Sequence, residues 1–506
     1  MQTSISALSW RRAFSRFTLG LSAIGLATGM LLAGCGGDDD DDDNDDVTVV
    51  QTASGKVSGE AAGEGDEQVY TYKGIPYGAP PVGNLRWKPP QPPASWDGVY
   101  AATKYSVMSP QTYPASPVYD GIPESGMGED VLRLNITTPA KAKNQKQKLP
   151  VMVLFHGGGL TSGSVNRASD NRADLPNHGV VSVAVQHRIG ALGYMAHPEL
   201  TAESPNHASG NYGQLDLIQA LKWVQSNIAA FGGDPGNVTI WGHSGGGMKT
   251  NWLVASPLSK GLFHRAISEA GWTVGGTALA QAEQYGVNLM NKVGAKNIEE
   301  LRQRPWQEII AVTDMPLAES GYATVHTVDG WSLPKTIGDL YLQDNHNDVP
   351  FMVGNGGGEI NARSPDRGNF LLQMVKARKS PIYTYIFTHV PSNWAKAGVT
   401  AYHGLEVSYQ YGSIDTVQRL YGTSLLPASP DIPADPGLTD DDWALTDTVM
   451  TTWAQFADTG NPNNPKLGVT WPTYSDADQY LDIGVPSILK TGFATVNTQQ
   501  PPRVAE

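Results

Sequence analysis

The chain of 506 residues contains one cysteine, Cys35. A single thiol excludes an intrachain disulfide, so the fold has to be held by packing and hydrogen bonds alone. Long hydrophobic runs are also scarce: the longest, Phe17 to Leu32, falls short of the roughly 20 residues that cross a bilayer as a helix. Basic residues are outnumbered, 35 Lys and Arg against 49 Asp and Glu, and the net charge of −14 argues against nucleic acid as a partner. No internal repeat and no Pro/Ser-rich linker interrupts the chain after residue 50, and no metal or nucleotide motif is evident, so no cofactor is expected. What is present is a large supply of core: 40% hydrophobic residues and 13 Trp, enough for one big α/β domain with insertions.

The N-terminal region reads as an export segment. Arg11 and Arg12 precede the apolar run, which ends in Leu32-Ala33-Gly34-Cys35, and a charged start followed by a short apolar stretch is a signal peptide over residues 1–34. Trp10-Arg11-Arg12-Ala13-Phe14 also resembles the twin-arginine export motif. Cys35 falls where a bacterial lipobox places its modified cysteine, and lipidation accounts for an unpaired thiol in an exported protein. Eight aspartates between Asp38 and Asp46 repel one another and cannot bury, so residues 35–50 are expected to be an acidic tether. Acyl chains at Cys35, each methylene contributing about 0.8 kcal/mol, would anchor the chain to a membrane of the bacterial cell envelope. Without Arg11, Arg12 and Arg16 the charge goes from −14 to −17; eight of those charges lie in the tether, which leaves about −9 for a folded domain spanning 51–500.

The most informative stretch is FGGDPGNVTIWGHSGGG, from Phe231 to Gly247. A turn leads into a β-branched run (Val238, Thr239, Ile240) and then into Gly242-His243-Ser244-Gly245-Gly246, a strand feeding directly into G-x-S-x-G. A serine at a sharp strand-to-helix turn needs glycines two before and two after it, because neighbouring backbone passes too close for a side chain. Upstream, Leu149 to Phe155 (LPVMVLF) has the length of a fully buried strand and ends in His156-Gly157-Gly158-Gly159. Attack on a carbonyl builds charge on oxygen, and glycine N–H groups can meet it unobstructed; Gly158, Gly159 and Gly245 are the candidate oxyanion donors. His156 is read as fixing this loop. Other expected elements are an edge hairpin up to Tyr72, a half-buried alternating strand from Glu129 to Ile136, a buried strand over 180–185 and a helix from Gln214 to Phe231. Alternating strands and helices imply a mostly parallel sheet and an α/β-hydrolase fold.

In that architecture the acid follows the serine and the histidine comes last. The buried run Val349 to Val353 leads into Gly354-Asn355-Gly356-Gly357-Gly358-Glu359, so Glu359 is the candidate acid, with Asp366 as fallback. Only His389 and His403 lie beyond it. His389 closes the alternating strand Ile382 to Phe387, whereas His403 sits in the following loop, free to lean over the sheet edge. His403 is therefore preferred as general base to Ser244, with Glu359 holding its other nitrogen.

Taken together, GIPYGAPPVGNLRW, EDVLRLN, HGGG, the segment from Asn211 to Ile228, the G-x-S-x-G stretch, GNGGGE, HGLEVSYQYG and Trp453-Ala454-Gln455-Phe456-Ala457 resemble the type-B carboxylesterase/cholinesterase family over most of residues 55–485. The resemblance, which extends to bacterial para-nitrobenzyl esterases, implies an α/β-hydrolase with insertions around its site and a triad of Ser244, Glu359 and His403. There are departures. Val131 stands where the family usually has a cysteine, His243 where it has a glutamate, Gly245 where it has alanine and Ile360 where it has glycine. Only 44 positions separate Glu359 from His403, which implies missing gorge walls and an open site for bulky esters. Two other readings are a binding or adhesion protein of the same fold, for which an intact triad would be superfluous, and an amide or carbamate hydrolase.

Overall fold

The structure is a computed structural model that describes residues 47–112, 125–143, 148–167, 169–271, 273–359, 378–423 and 426–493. The expected signal segment, Cys35, the aspartate run, Ile360 and Asp366 lie outside the described residues.

One sheet of 11 strands organises the domain. In chain order these are β1 (Glu60–Ala62), β2 (Val69–Pro76), β3 (Arg133–Pro139), β4 (Leu149–Phe155), β5 (Val181–Val185), β6 (Gly233–His243), β7 (Arg265–Glu269), β8 (Phe351–Gly356), β9 (Ile382–Phe387), β10 (Gln479–Ile483) and β11 (Ile488–Thr491). Their spatial order is β11-β10-β9-β8-β7-β6-β4-β5-β3-β2-β1. From β5 across to β10 every pairing is parallel. The antiparallel pairings β3–β5, β2–β3, β1–β2 and β10–β11 close the two flanks. The expected edge hairpin is β1 and β2.

Strand β4 is apolar throughout because both of its faces are covered. In β4, Val151, Val153 and Phe155 enter one hydrophobic cluster, while Met152 and Leu154 enter the other on the opposite face. Period-two alternation thus serves two cores at once.

Strand β3 corrects the sequence reading. It starts at Arg133 rather than Glu129, and it is buried from Leu134 to Pro139 rather than half-exposed. Its polar residues are satisfied internally: Asn135 Oδ1 accepts from Gly74 N at 2.9 Å, and Thr138 Oγ1 donates to Phe231 O at 2.9 Å. Apolar/polar alternation marks a solvent-facing strand only when the polar side chains lack such partners. Strand β9 alternates in the same way and is also wholly buried.

Four helices matter for the site: α1 (Tyr212–Asn227), α2 (Gly245–Ala255), α3 (Leu405–Gln410) and α4 (Asp440–Thr459). The helix anticipated to Phe231 ends at Asn227 and continues as a 3-10 turn, Ile228–Phe231, closed by Gly232 at φ 87°. Helix α4 opens with a reciprocal capping box between Thr439 and Asp442, which fixes where its buried Trp453 lands.

Candidate active site

Ser244 joins β6 to α2 with φ 57° and ψ −120°, a conformation that L side chains rarely adopt. The surroundings hold it there. Its N–H donates to Glu269 O at the end of β7, 2.7 Å away, and its carbonyl accepts from Met248 N at 3.0 Å. The flanking glycines are required by the tip of β4: a Cβ on Gly242 would lie 2.4 Å from Phe155 O, and one on Gly246 would lie 2.0 Å from it. That is the close approach expected from G-x-S-x-G.

The HGGG loop leaves β4 beside the serine. Gly158 and Gly159 have φ of 85° and 62°, open only to glycine at low cost. The backbones of Gly159 and Gly245 are in contact, since a Cβ on Gly245 would meet Gly159 O at 2.2 Å and Gly159 N at 2.4 Å. His156 is buried, its Nδ1 is 2.9 Å from Gly157 O, and its ring stacks on His187 at 4.6 Å. It anchors the loop rather than facing the serine.

Strand β8 carries Glu359 just past its end, and the loop after β9 carries His403. Gly358 N donates to Ala401 O at 2.9 Å, tying the two segments together. Across this tie His403 Nδ1 lies 2.6 Å from Glu359 Oε2, and His403 Nε2 lies 2.8 Å from Ser244 Oγ. Gly356 N donates to the other Glu359 oxygen at 3.2 Å. Such a chain can take a proton from Oγ onto Nε2 while the carboxylate steadies the ring. The competing histidine is elsewhere: His389 Nε2 pairs with Asp442 Oδ1 at 2.8 Å.

Three buried ionisable residues were not singled out in the sequence. Lys249, on the inner face of α2, donates from Nζ to His156 O at 2.9 Å, and burial pushes its ammonium down to about 7. Glu269 accepts from Trp453 Nε1 at 2.7 Å; burial, with Glu406 adding to it, pushes its carboxyl up to about 8 against that hydrogen bond. Glu406 is fully buried one turn beyond His403, its Oε1 3.3 Å from His243 Nε2. Burial raises its carboxyl, but His243 and then His403 outweigh burial and hold it below the usual range. The available signals were a lone lysine inside the apolar helix after the serine, a glutamate ending a buried strand, and the glutamate of HGLE. None identifies a partner.

His243 itself leans over the site, its ring centroid 4.5 Å from that of His403. One ligand atom from each of His243, Glu359 and His403 falls within 4.8 Å of the others. A cavity of about 270 Å³ opens onto Ser244, His243 and His403 and is also lined by Arg167, Asp170 and Arg419. Arg167 and Asp170 pair at 2.7 Å, so their charges compensate each other, and Val407, Tyr411 and Leu420 add apolar surface to the same lining.

A mostly parallel sheet covered by helices, with a strained serine at the strand-to-helix turn beyond its centre, defines an α/β-hydrolase. The carboxylesterase family's sequence model matches residues 46–364 and 368–499, and the chain belongs to that family. Carboxylesterase 1F of Mus musculus is 31% identical over 513 residues, covering 86% of this chain and 90% of its own. Liver carboxylesterase 1 of Oryctolagus cuniculus is 32% identical, with 86% and 89% covered. Among solved structures, a thermophilic PNB esterase superposes with a TM-score of 0.75 at 26% identity, covering 88% of this chain and 97% of its own. The protein is a carboxylic ester hydrolase. Among the described residues no helix is long and apolar enough to cross a membrane.

Proposed function

We propose that this hydrolase works through an acyl-enzyme on Ser244. His403 Nε2 takes the Oγ proton as Oγ attacks the ester carbonyl, and Glu359 stabilises the imidazolium through Nδ1. The oxyanion is received by the N–H groups of Gly158, Gly159 and Gly245, each contributing a factor of roughly 10²–10³ in turnover. His403 then returns the proton to the leaving alcohol, and water repeats the sequence in reverse to release the acid. The observation that supports this reading is the continuous alignment from Ser244 Oγ through His403 to Glu359 at 2.8 and 2.6 Å. A binding or adhesion protein has no use for it.

The same reading includes the delivery of the enzyme. Residues 1–34 act as a signal peptide, Cys35 carries the lipid, and the aspartates up to residue 46 space a domain at 51–500 from the envelope membrane. Intact mass of the membrane-extracted protein tests this: the acyl increments should vanish in Cys35→Ser, and an unmodified Cys35 would refute the anchor.

Turnover of a p-nitrophenyl ester series, from acetate to long acyl chains, tests the chemistry. A burst of nitrophenol, absent in Ser244→Ala, is expected; steady hydrolysis surviving in that variant would refute the nucleophile. The short stretch of 44 positions from Glu359 to His403 supports an open site, so bulky acyl chains should be accepted. A steep preference for acetate would count against it.

A further inference from the structure

His243 places a second imidazole against the one already paired with Glu359. The two rings are tilted by 46° with centroids 4.5 Å apart, and one ligand atom each from His243, His403 and Glu359 lies within 4.8 Å of the rest. Two imidazoles and a carboxylate are the donor set of tetrahedral zinc sites, whose bonds of about 2.0–2.2 Å need ligand atoms roughly 3.4 Å apart. Closing the difference takes about an ångström of side-chain movement. The His403 side chain, 39% exposed, has room to make it. The cavity that opens onto His243 and His403 supplies an entry path to the two imidazoles, and water entering through it would complete the fourth position. Behind His243, Glu406 Oε1 stands 3.3 Å from Nε2 as the outer carboxylate that commonly orients a metal-binding histidine.

We propose that His243, His403 and Glu359 form a binding site for a divalent transition metal of the zinc class, and that occupancy switches the hydrolase off reversibly. The chemistry of the block is simple. A neutral imidazole has one lone pair and one proton. Metal on Nδ1 takes the lone pair at that atom and leaves the proton on Nε2, so nothing remains to accept the proton of Ser244 Oγ; metal on Nε2 occupies the accepting atom directly. Magnesium and calcium, which prefer six or more oxygen ligands, should not compete. The inhibitory consequence rests on the Ser244–His403 reading, but binding does not.

The test uses the full-length protein in detergent, with zinc chloride and cobalt chloride as probes. Cobalt(II) added to Ser244→Ala should give the visible absorption of a tetrahedral site and lose it on zinc addition. Zinc should inhibit wild-type hydrolysis of p-nitrophenyl acetate, EDTA should restore it, and magnesium should have no effect. In His243→Asn, and in the bulkier His243→Gln as a second folded probe, the zinc concentration for half-inhibition of the variant's own activity should rise at least about 10-fold. No tetrahedral cobalt spectrum, or equal zinc sensitivity without His243, overturns the site. A His243-dependent spectrum on a protein with no esterase turnover would keep the metal site and refute the hydrolytic reading instead.

Discussion

Ser244 has two flanks, and they bury ionisable groups of opposite kind. On the oxyanion-loop flank, Lys249 sits among His156, His187 and His326, and burial holds all four toward their neutral forms: Lys249 down to about 7, His326 down to about 3, the other two well below the ordinary histidine range. On the imidazole flank, Glu406 keeps its charge through His243 and His403, while Glu269, whose main partner is an indole N–H, is pushed up to about 8. Burial is common to both flanks. The difference lies in whether a neighbour repays desolvation: Lys249 has a carbonyl, Glu406 has two imidazoles. In the proposed mechanism the loop flank would supply the backbone donors and the other flank would offer negative charge to the forming imidazolium.

The comparison can be broken most severely at Glu359. Glu359→Gln keeps the shape of the side chain but removes its charge and lets an amide N–H meet His403 Nδ1, which selects the wrong tautomer, so kcat for p-nitrophenyl acetate should fall by roughly 10³–10⁴. A loss below tenfold would show that the imidazole flank does not work through this carboxylate. On the loop flank, Gly245→Ala is the sharper probe, although it restores the residue usual in the family. Its Cβ would lie 2.2 Å from Gly159 O, so the loop has to move, and turnover should drop by roughly 10²–10³ with the fold intact. Unchanged turnover would mean that Gly159 is not a donor.

Smaller effects separate the flanks by their pH dependence. For Glu269 the folded pKa is raised from 4.5 to about 8, so its contribution to stability is complete below 4.5 and is lost as pH rises through 8. For Lys249 the folded pKa is lowered from 10.5 to about 7, so the unfolded chain holds the extra proton and stability recovers as pH rises from 7 to 10.5. Each slope approaches about 1.4 kcal/mol per pH unit. His156, His187 and His326, all lowered by burial, add a rise of their own up to about pH 6.5, so the two limbs are read as differences from the unmodified chain. Glu269→Gln should remove a fall in denaturant midpoint between pH 4.5 and 8, and Lys249→Met a rise between 7 and 10.5. If either variant leaves its own limb intact, the assignment of that limb is wrong.

Much of the site was legible in one dimension because its parts are backbone devices. Gly242, Gly246, Gly158 and Gly159 are required by close approach or positive φ, and such needs leave glycine in the sequence whatever the rest of the fold does. Strand β4 was legible because two buried faces demand an unbroken apolar run. Strand β3 was misread because Asn135 and Thr138 look solvent-facing until their partners, Gly74 and Phe231, are known. The same blindness hid Lys249, Glu269 and Glu406, whose burial depends on residues far away in the chain.

By itself, then, the order of residues determined the strand–turn–helix at Ser244, the glycine loop after β4 and the chain order in which an acid and a histidine follow. Those are local matters of steric room and hydrophobic period. The loop position of His403 already favoured it over His389, but tertiary structure alone brought it to Ser244 and set His243 and Glu406 beside it. It also decided that the would-be Cβ of Gly245 has no space. Partnership, burial and the resulting charge state are properties of contacts between distant segments, and no spacing along the chain encodes them.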